Sequence, residues 1–464
     1  MLQQSAIFIR VLCFIFILFA AIDCRASAPD SVLNGEYIFT SKEAEFVGSY
    51  GDEEVWEVGE LEYKLLTFDG QGNGDWQEIY TTGGDSGSFT YKVFTDGTVQ
   101  ISDDDGYHIL SKNGSSIMGT YLDSDSYDIF IGLKKSTGMS NANLDGEYLA
   151  ALYSGDKNGE FGGWEQWELE ARCLLLTFHG DGSGTWEDVL SAADLDSGDL
   201  TYSVNDDGTF IITSSPNATK GMISPDGNII RLSEIEEDEF MISIGLKTST
   251  GMSNASLDTA FLMSTHEAEL AGSLEESERW EHDARYALVR FDGQGNGTWE
   301  DLLSTGDLDS GDLTYSVNDD GTFSMGDEDE NTLNIVSPDG HCIMRTEIDS
   351  LQLSISFGIA KSDISNAVEE FREEHLLRNY ALGQNYPNPF NASTEIRYSL
   401  PAAAKVSLRV FNVRGEQVAT LAEGFRETGT YTVRWDPGEL ASGIYFCRMQ
   451  VGGNTETVKI VLLR

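Results

Sequence analysis

Residues 197–210 read SGDLTYSVNDDGTF, and residues 310–323 repeat the same string letter for letter. The offset of 113 residues also carries Trp186 onto Trp299, and STGMSNA at 136–142 onto STGMSNA at 249–255. Residues 86–99, SGSFTYKVFTDGTV, are a divergent earlier copy, and 362–367 is a last echo of the linker string. The chain is therefore a run of three related units, 33–143, 144–256 and 257–367, followed by a short connection, 368–382, and a separate segment, 383–464. Whatever fold is assigned must be one that about 110 residues complete on their own and then repeat.

Inside each unit the apolar residues alternate with period two rather than 3.6, which selects strands. Unit two reads as strands over 147–152, 167–178, 185–190, 200–204, 209–213, 221–224, 229–233 and 240–247. Turns at Asp206-Asp207-Gly208 and Pro225-Asp226-Gly227-Asn228 join them as hairpins. No helix of ordinary length fits before residue 366. Eight consecutive antiparallel strands must dispose of two sheet edges, and closure into an up-and-down barrel does so directly. The predicted fold is all-β, with three tandem eight-stranded barrels. An eight-stranded barrel has room inside for side chains or one small ligand. A six-bladed propeller is the alternative, raised by Ser-Pro-Asp-Gly at 224–227 and 337–340, but it needs a half-length repeat that the sequence does not show. Gly35-Glu36-Tyr37 and Gly146-Glu147-Tyr148 resemble the opening strand of lipocalin-like barrels, while unit three departs with Asp258-Thr259-Ala260-Phe261.

Two sets of repeated residues are candidate sites. The glycine-rich turns place oxygen side chains at alternate positions, Asp69, Gln71 and Asn73 in unit one and Asp292, Gln294 and Asn296 in unit three, with glycine next. That spacing echoes a calcium loop. Against calcium, the twelfth position is Tyr80 or Leu303 rather than glutamate, and unit two starts with His179. A glycine turn that needs positive φ explains the pattern equally. Trp56, Trp167 and Trp280 recur at one place in the repeats, and Trp76, Trp186 and Trp299 at another. Core packing accounts for them. The functional alternative is an aromatic platform for a ligand, with Arg172 and Arg285 as its polar contacts.

Nothing points to catalysis. The histidines at 108, 179, 266, 282, 341 and 375 share no repeated position, and no nucleophile, zinc or phosphate-loop motif is present. Carboxylate pairs occur everywhere in a chain of net charge −49 and so carry no information. The acidic surface excludes sequence-independent nucleic-acid binding, argues against docking on anionic lipid, and keeps the chain soluble by self-repulsion. Cys173, Cys342 and Cys447 fall in different units, which leaves no disulfide framework within a unit and reads as buried thiols.

The last segment opens Asn385-Tyr386-Pro387-Asn388-Pro389-Phe390, an extended lead-in fixed by two prolines. Short alternating runs follow over 395–400, 406–413, 417–421, 429–435, 444–450 and 455–463, a pattern that fits a small Ig-like β-sandwich. Asn385, Pro387, Asn388, Pro389 and Phe390, then Gly415, Gly429 with Tyr431, Trp435, Gly443 with Tyr445, and the ending Lys459 to Arg464 resemble the C-terminal sorting domain of the type IX secretion system. Ala392 departs from it, where the family has proline, and Ig-like hook-capping modules share part of the pattern. The resemblance implies export across the outer membrane, the type IX machinery as partner, and an extracellular or cell-surface destination.

The N-terminus agrees. The apolar run 11–22, followed at once by polar sequence and by Ala26, reads as a signal peptide over 1–26. A lipoprotein anchor at Cys24 is disfavoured by Asp23, and the mature chain has no further membrane span. These observations lead us to expect an exported, non-enzymatic surface protein whose body binds a ligand or acts structurally, with no cofactor unless it is calcium. The competing expectations are a secreted hydrolase with a site among the acidic loops, and a calcium-stabilised adhesin or stalk.

Overall fold

The computed structural model describes residue 28 and residues 30–361, apart from 51–52, 80–83, 103–105, 123–125, 162–163, 192–194, 214–217, 236–238, 275–276, 305–308, 327–330 and 349–351. It also describes 381–462, apart from 384, 386–387, 389, 392, 401–403, 427–428, 439 and 452–453. The signal-peptide segment and the connection 368–380 lie outside the described residues. The chain divides into two compact units, Met1–Ser365 and Asn366–Arg464.

The first unit holds three closed antiparallel barrels of eight strands each, joined in sequence order as the alternation requires. Closure comes from pairing the first strand of each barrel with its last. Tyr37 faces Lys134 in barrel one, Tyr148 faces Lys247 in barrel two, and Phe261 faces Ala360 in barrel three. Among the described residues the only helices are three-residue 3₁₀ turns.

Each interior is filled by one aromatic group. Phe178 sits edge-on to Tyr148, Tyr202 and Phe210, with ring centroids 5.0–6.1 Å apart. Phe68 and Phe291 hold the same place in barrels one and three. These contacts are the favoured T-shaped arrangement of aromatic rings. Room for them is made by glycine on the neighbouring strand: a Cβ on Gly221 would come within 2.3 Å of the Phe210 ring. Of the two occupants that an eight-stranded barrel admits, these barrels hold side chains.

The 3₁₀ turns plug one end of each barrel. Leu33, Leu144 and Leu257 are fully buried there. Their carbonyls accept hydrogen bonds of 2.7–2.8 Å from the hydroxyls of Tyr91, Tyr202 and Tyr315. The repeated STGMSN linkers dock on the next barrel's Asp-Asp-Gly turn, through Ser136 N to Asp207 O and Met139 N to Asp206 O, and again through Ser249 N to Asp320 O and Met252 N to Asp319 O. Gly208 closes its turn at φ 88°, a conformation that favours glycine.

The first two strands of each barrel are longer than their alternation suggests. In barrel two they run Asp145–Phe161 and Trp164–His179, and so continue through Ser154-Gly155-Asp156, which reads as a turn in the sequence. Cross-strand pairing carries those small and polar residues along as strand, with Gly155 opposite Leu169. The second strands of the three barrels touch one another.

The second unit is a β-sandwich. A three-stranded sheet (Ala381–Leu382, Thr394–Leu400, Gly429–Trp435) faces a four-stranded one ordered Gln417–Arg426, Ala404–Asn412, Gly443–Val451, Asn454–Leu462. Its core includes Ile396, Tyr398, Val406, Leu408, Trp435 and Ile460.

Candidate functional site

The sequence-derived candidates fall into two classes of place. In the glycine-rich turns the carboxylates serve the turn itself. Asp69 Oδ1 accepts from the backbone N–H groups of Gln71 (2.7 Å) and Asn73 (2.9 Å), and Oδ2 accepts from Asn73 Nδ2 (2.9 Å). Asp292 repeats this with Gln294 and Asn296. The amide hydrogen bonds, from Asn73 and Asn296 foremost, hold both carboxyls below the ordinary aspartate value. In barrel two, where His179 takes the first position, Asp181 takes over and accepts from the backbone N–H and hydroxyl of Ser183. Among the described residues no three His, Cys, Asp or Glu side chains converge as a metal-holding group.

Trp76, Trp186 and Trp299 are half-buried and pack against the barrel cores. Each lies over a glycine on the adjacent strand: Gly87, Gly198 or Gly311. Arg172 reaches Glu170 (3.1 Å) and the buried Asp188 (3.6 Å), and Arg285 stands 3.9 Å from the buried Asp301. Asp188 and Asp301 also accept the backbone N–H groups of Asp196 and Asp309, so these groups staple a hairpin loop. The side chains of Trp56, Trp167 and Trp280 lie outside the described ones. Among the described residues, Trp76, Trp186 and Trp299 are not assembled with Arg172 and Arg285 into one platform.

A different place is built jointly by all three barrels. Each barrel touches the other two. Arg231 Nη1 of barrel two donates to Ile38 O of barrel one (3.1 Å), the Tyr153 ring meets His266 of barrel three at 5.0 Å, and Tyr286 of barrel three stacks on Tyr107 of barrel one at 5.8 Å. The ring of barrels closes where the chain leaves barrel three. Lys361 pairs with Asp96 at 3.0 Å, repeating on barrel one the contact that Lys135 makes with Asp207 on barrel two at 3.4 Å. The barrels therefore follow one another around a pseudo-threefold axis.

On that axis lies a cavity of about 100 Å³. Its walls are the outer faces of the first and last strands, in repeating layers. Thr40, Ala151 and Ser264 form one layer, facing Ile131, Ile244 and Phe357 across the strand pairs. Tyr153 and His266 with Ile242 and Ile355 form the next. Arg231 enters from the side, where barrels one and three have the fully buried Met118 and Met344. The layer beneath, Ile38, Leu149 and Leu262 with Leu133, Leu246 and Ile359, is at most 6% exposed and shuts that end. Burial pushes the Tyr153 phenol well above its ordinary value, so it stays protonated. The hydroxyls of Thr40 and Ser264 are buried with no hydrogen-bond partner.

Sequence reasoning missed this site because it looked inside the barrels. A signal was present. Runs such as YLAALY (148–153) and MISIGL (241–246) are apolar on both faces, which a solvated barrel wall would not tolerate.

In the second unit, the lead-in is stapled to the final strand. Asn388 Oδ1 accepts from Val461 N (2.8 Å), and Asn388 Nδ2 donates to Lys459 O (3.2 Å). Phe390 N donates to Val461 O, and the Phe390 ring packs on Trp435 at 5.6 Å. Trp435 in turn meets Tyr445 at 6.0 Å. Buried Asn385 donates to Thr394 Oγ1, Tyr431 stacks on Tyr398, and Gly415 turns at φ 78°. Gly429 and Gly443 open two strands. Pro387, Pro389 and Arg464 lie outside the described residues.

Residues 384–463 match the family model described as the secretion system C-terminal sorting domain. The second unit is a sorting domain of the type IX secretion system. No curated protein matches the chain. Among solved structures, transferrin-binding protein B of Neisseria meningitidis is similar at 9% identity, over 71% of this chain and 77% of that one, with a TM-score of 0.22. PorZ, a surface component of the type IX system of Porphyromonas gingivalis, is similar at 9% identity over 87% and 74%, with a TM-score of 0.14. Similarities this low carry no argument about the body. The sorting domain itself implies export through the type IX system to the cell surface or extracellular space. Within it, the motif residues Asn385, Asn388, Phe390, Trp435 and Tyr445 are those that fasten the lead-in and one sheet to the other.

Proposed function

We propose that this is an exported, non-enzymatic surface or extracellular protein. Its acidic three-barrel body serves as a binding or structural module, and its sorting domain hands that body to the type IX machinery. The observation that carries the reading is the match of 384–463 to the sorting-domain family, at the end of a body that repeats one unit three times. The side-chain-filled barrels support it, since edge-on aromatic cores leave their interiors to packing rather than to a substrate. Among the described residues, Cys173, Cys342 and Cys447 are all buried and fit a role without thiol chemistry. The test is deletion of 383–464 in a type IX-competent host. The truncated protein should accumulate in the periplasm, and surface delivery equal to that of the full chain would refute the reading.

A further inference from the structure

The cavity on the pseudo-threefold axis has features that packing alone does not require. Copies two and three share identical stretches elsewhere, and around the axis they keep Ile242 and Ile355 but differ at four other equivalent places: Ala151 and Ser264, Tyr153 and His266, Arg231 and Met344, Ile244 and Phe357. An axis offers one cavity per molecule, and these differences make its lining asymmetric. The wall is mostly apolar, with Tyr153, His266, Arg231 and Ser243 as further polar side chains, and in the Thr40–Ser264 layer the two hydroxyls are buried without partners, at 7% and 2% residue exposure. A buried hydroxyl left unbonded costs on the order of 1–3 kcal/mol. An apolar residue of similar shape, valine or alanine, would have avoided that cost at either position.

We propose that this central cavity binds a small aliphatic molecule that carries one oxygen head group, a short-chain alcohol or acid. The tail lies among Ile129, Ile131, Ile242 and Ile355, and the head exchanges hydrogen bonds with Thr40 and Ser264, whose hydroxyl oxygens expose less than 1 Å² and turn toward the occupant on binding. Size sets the limit. A dry apolar cavity of about 150 Å³ takes benzene, so about 100 Å³ admits roughly four to six heavy atoms. The isoleucine walls suit a flexible or branched tail over a flat ring. The proposal gives a chemical class to the binding half of the function proposed above and does not depend on the export half, so either can fail alone.

The experiment uses the purified mature chain, with 3-methylbutan-1-ol, 2-methylpropanoic acid and benzene as probes and direct calorimetric titration as the readout. The alcohol or the acid should bind at one site per chain, and more tightly than benzene. Ala151→Leu projects into the cavity and should abolish binding, with the near-UV circular dichroism preserved. Should that variant misfold, Thr40→Val and Ser264→Ala remove the hydroxyls with little change of volume, and each should weaken the oxygen-bearing probe about three- to tenfold while leaving benzene unchanged. Absence of saturable binding by every probe overturns the proposal. Equal binding of benzene and the alcohol, or full affinity in both hydroxyl variants, overturns the role of the head group.

Discussion

Replacing Lys361 by methionine tests whether the three barrels form a closed ring or a string. Lys361 and Asp96 meet at 3.0 Å with side chains only 3% and 10% exposed. At an effective dielectric of about 20, their attraction is about 5 kcal/mol, largely offset by the cost of desolvating two ions. The intact pair is therefore worth little net, but removal of one partner leaves a buried charge uncompensated, at a cost of about 3–5 kcal/mol. Lys361→Met should destabilise the body by that amount. Asp96→Asn should do the same, and it also weakens the hydrogen bonds that Asp96 Oδ1 accepts from the Thr98 N–H and hydroxyl. The double variant should cost far less than the sum, because no lone charge remains.

The equivalent pair one barrel earlier supplies the control. Lys135 and Asp207 are 24% and 37% exposed and 3.4 Å apart, and the linker's own backbone bonds hold that joint. Lys135→Met should cost less than about 1 kcal/mol. The assay is urea unfolding of the mature chain, followed by near-UV circular dichroism and by limited proteolysis at low urea. A ring opened at the joint of barrels three and one should also lose the central cavity, since all three barrels line it. Equal effects of Lys361→Met and Lys135→Met, or additive single costs in the double variant, would refute ring closure as a source of stability.

Acid should weaken the body in a defined window. Burial alone would raise Asp96 and Asp339, but Lys361 and Thr98 in one case, and His341 and Ser337 in the other, outweigh it and lower both, Asp339 to about 2. Their contribution is complete above the ordinary aspartate value near 4 and disappears as pH falls through the lowered values, so the urea midpoint should drop between about pH 4 and pH 2 and hold steady above; in Asp339→Asn that drop should shrink. Gly221→Val should destabilise barrel two by about 1–3 kcal/mol, because its Cβ meets the Phe210 ring at 2.3 Å; unchanged thermal melting would exclude that contact. Cys173 and Cys447 are buried and their thiols are pushed up to about 12, with Cys342 also raised, so a thiol reagent should label none of the three until the chain unfolds. The Asp69 and Asp292 carboxylates are engaged by their own turns, so chelator should leave the melting temperature unchanged; a calcium-dependent rise would restore the metal reading.

Much of the fold was legible because closure is a local problem. Alternation, Asp-Gly turns and a repeat of fixed length demand eight sequential strands, and sequential strands close with their neighbours. The tail was legible for another reason: its motif residues Asn388, Phe390 and Trp435 are tied to the folding of one small sandwich. The axial cavity was not legible. Thr40, Ser264 and Arg231 lie far apart in sequence, and each reads alone as an ordinary residue of an apolar strand. Their meeting depends on how barrels pack, which periodicity within a strand does not encode. Trp76, Trp186 and Trp299 misdirect for the converse reason. Their repetition reflects one packing need met three times, a ring laid over a cross-strand glycine.

That contrast bears on how tandem copies acquire a site. Residues that every barrel needs for its own closure, such as the central phenylalanines Phe68, Phe178 and Phe291, stay equivalent across the repeats. Residues on the outer faces of the first and last strands answer to a different constraint, since together they line a single shared space. Three identical linings would present a symmetric, hydrocarbon-like wall to any occupant. A threonine in one copy, a serine in another and an arginine in the third give that space a polar side and an apolar side. Covalent linkage makes this possible: three separate identical subunits would have to carry every substitution three times around the axis, whereas one chain can differentiate each copy alone.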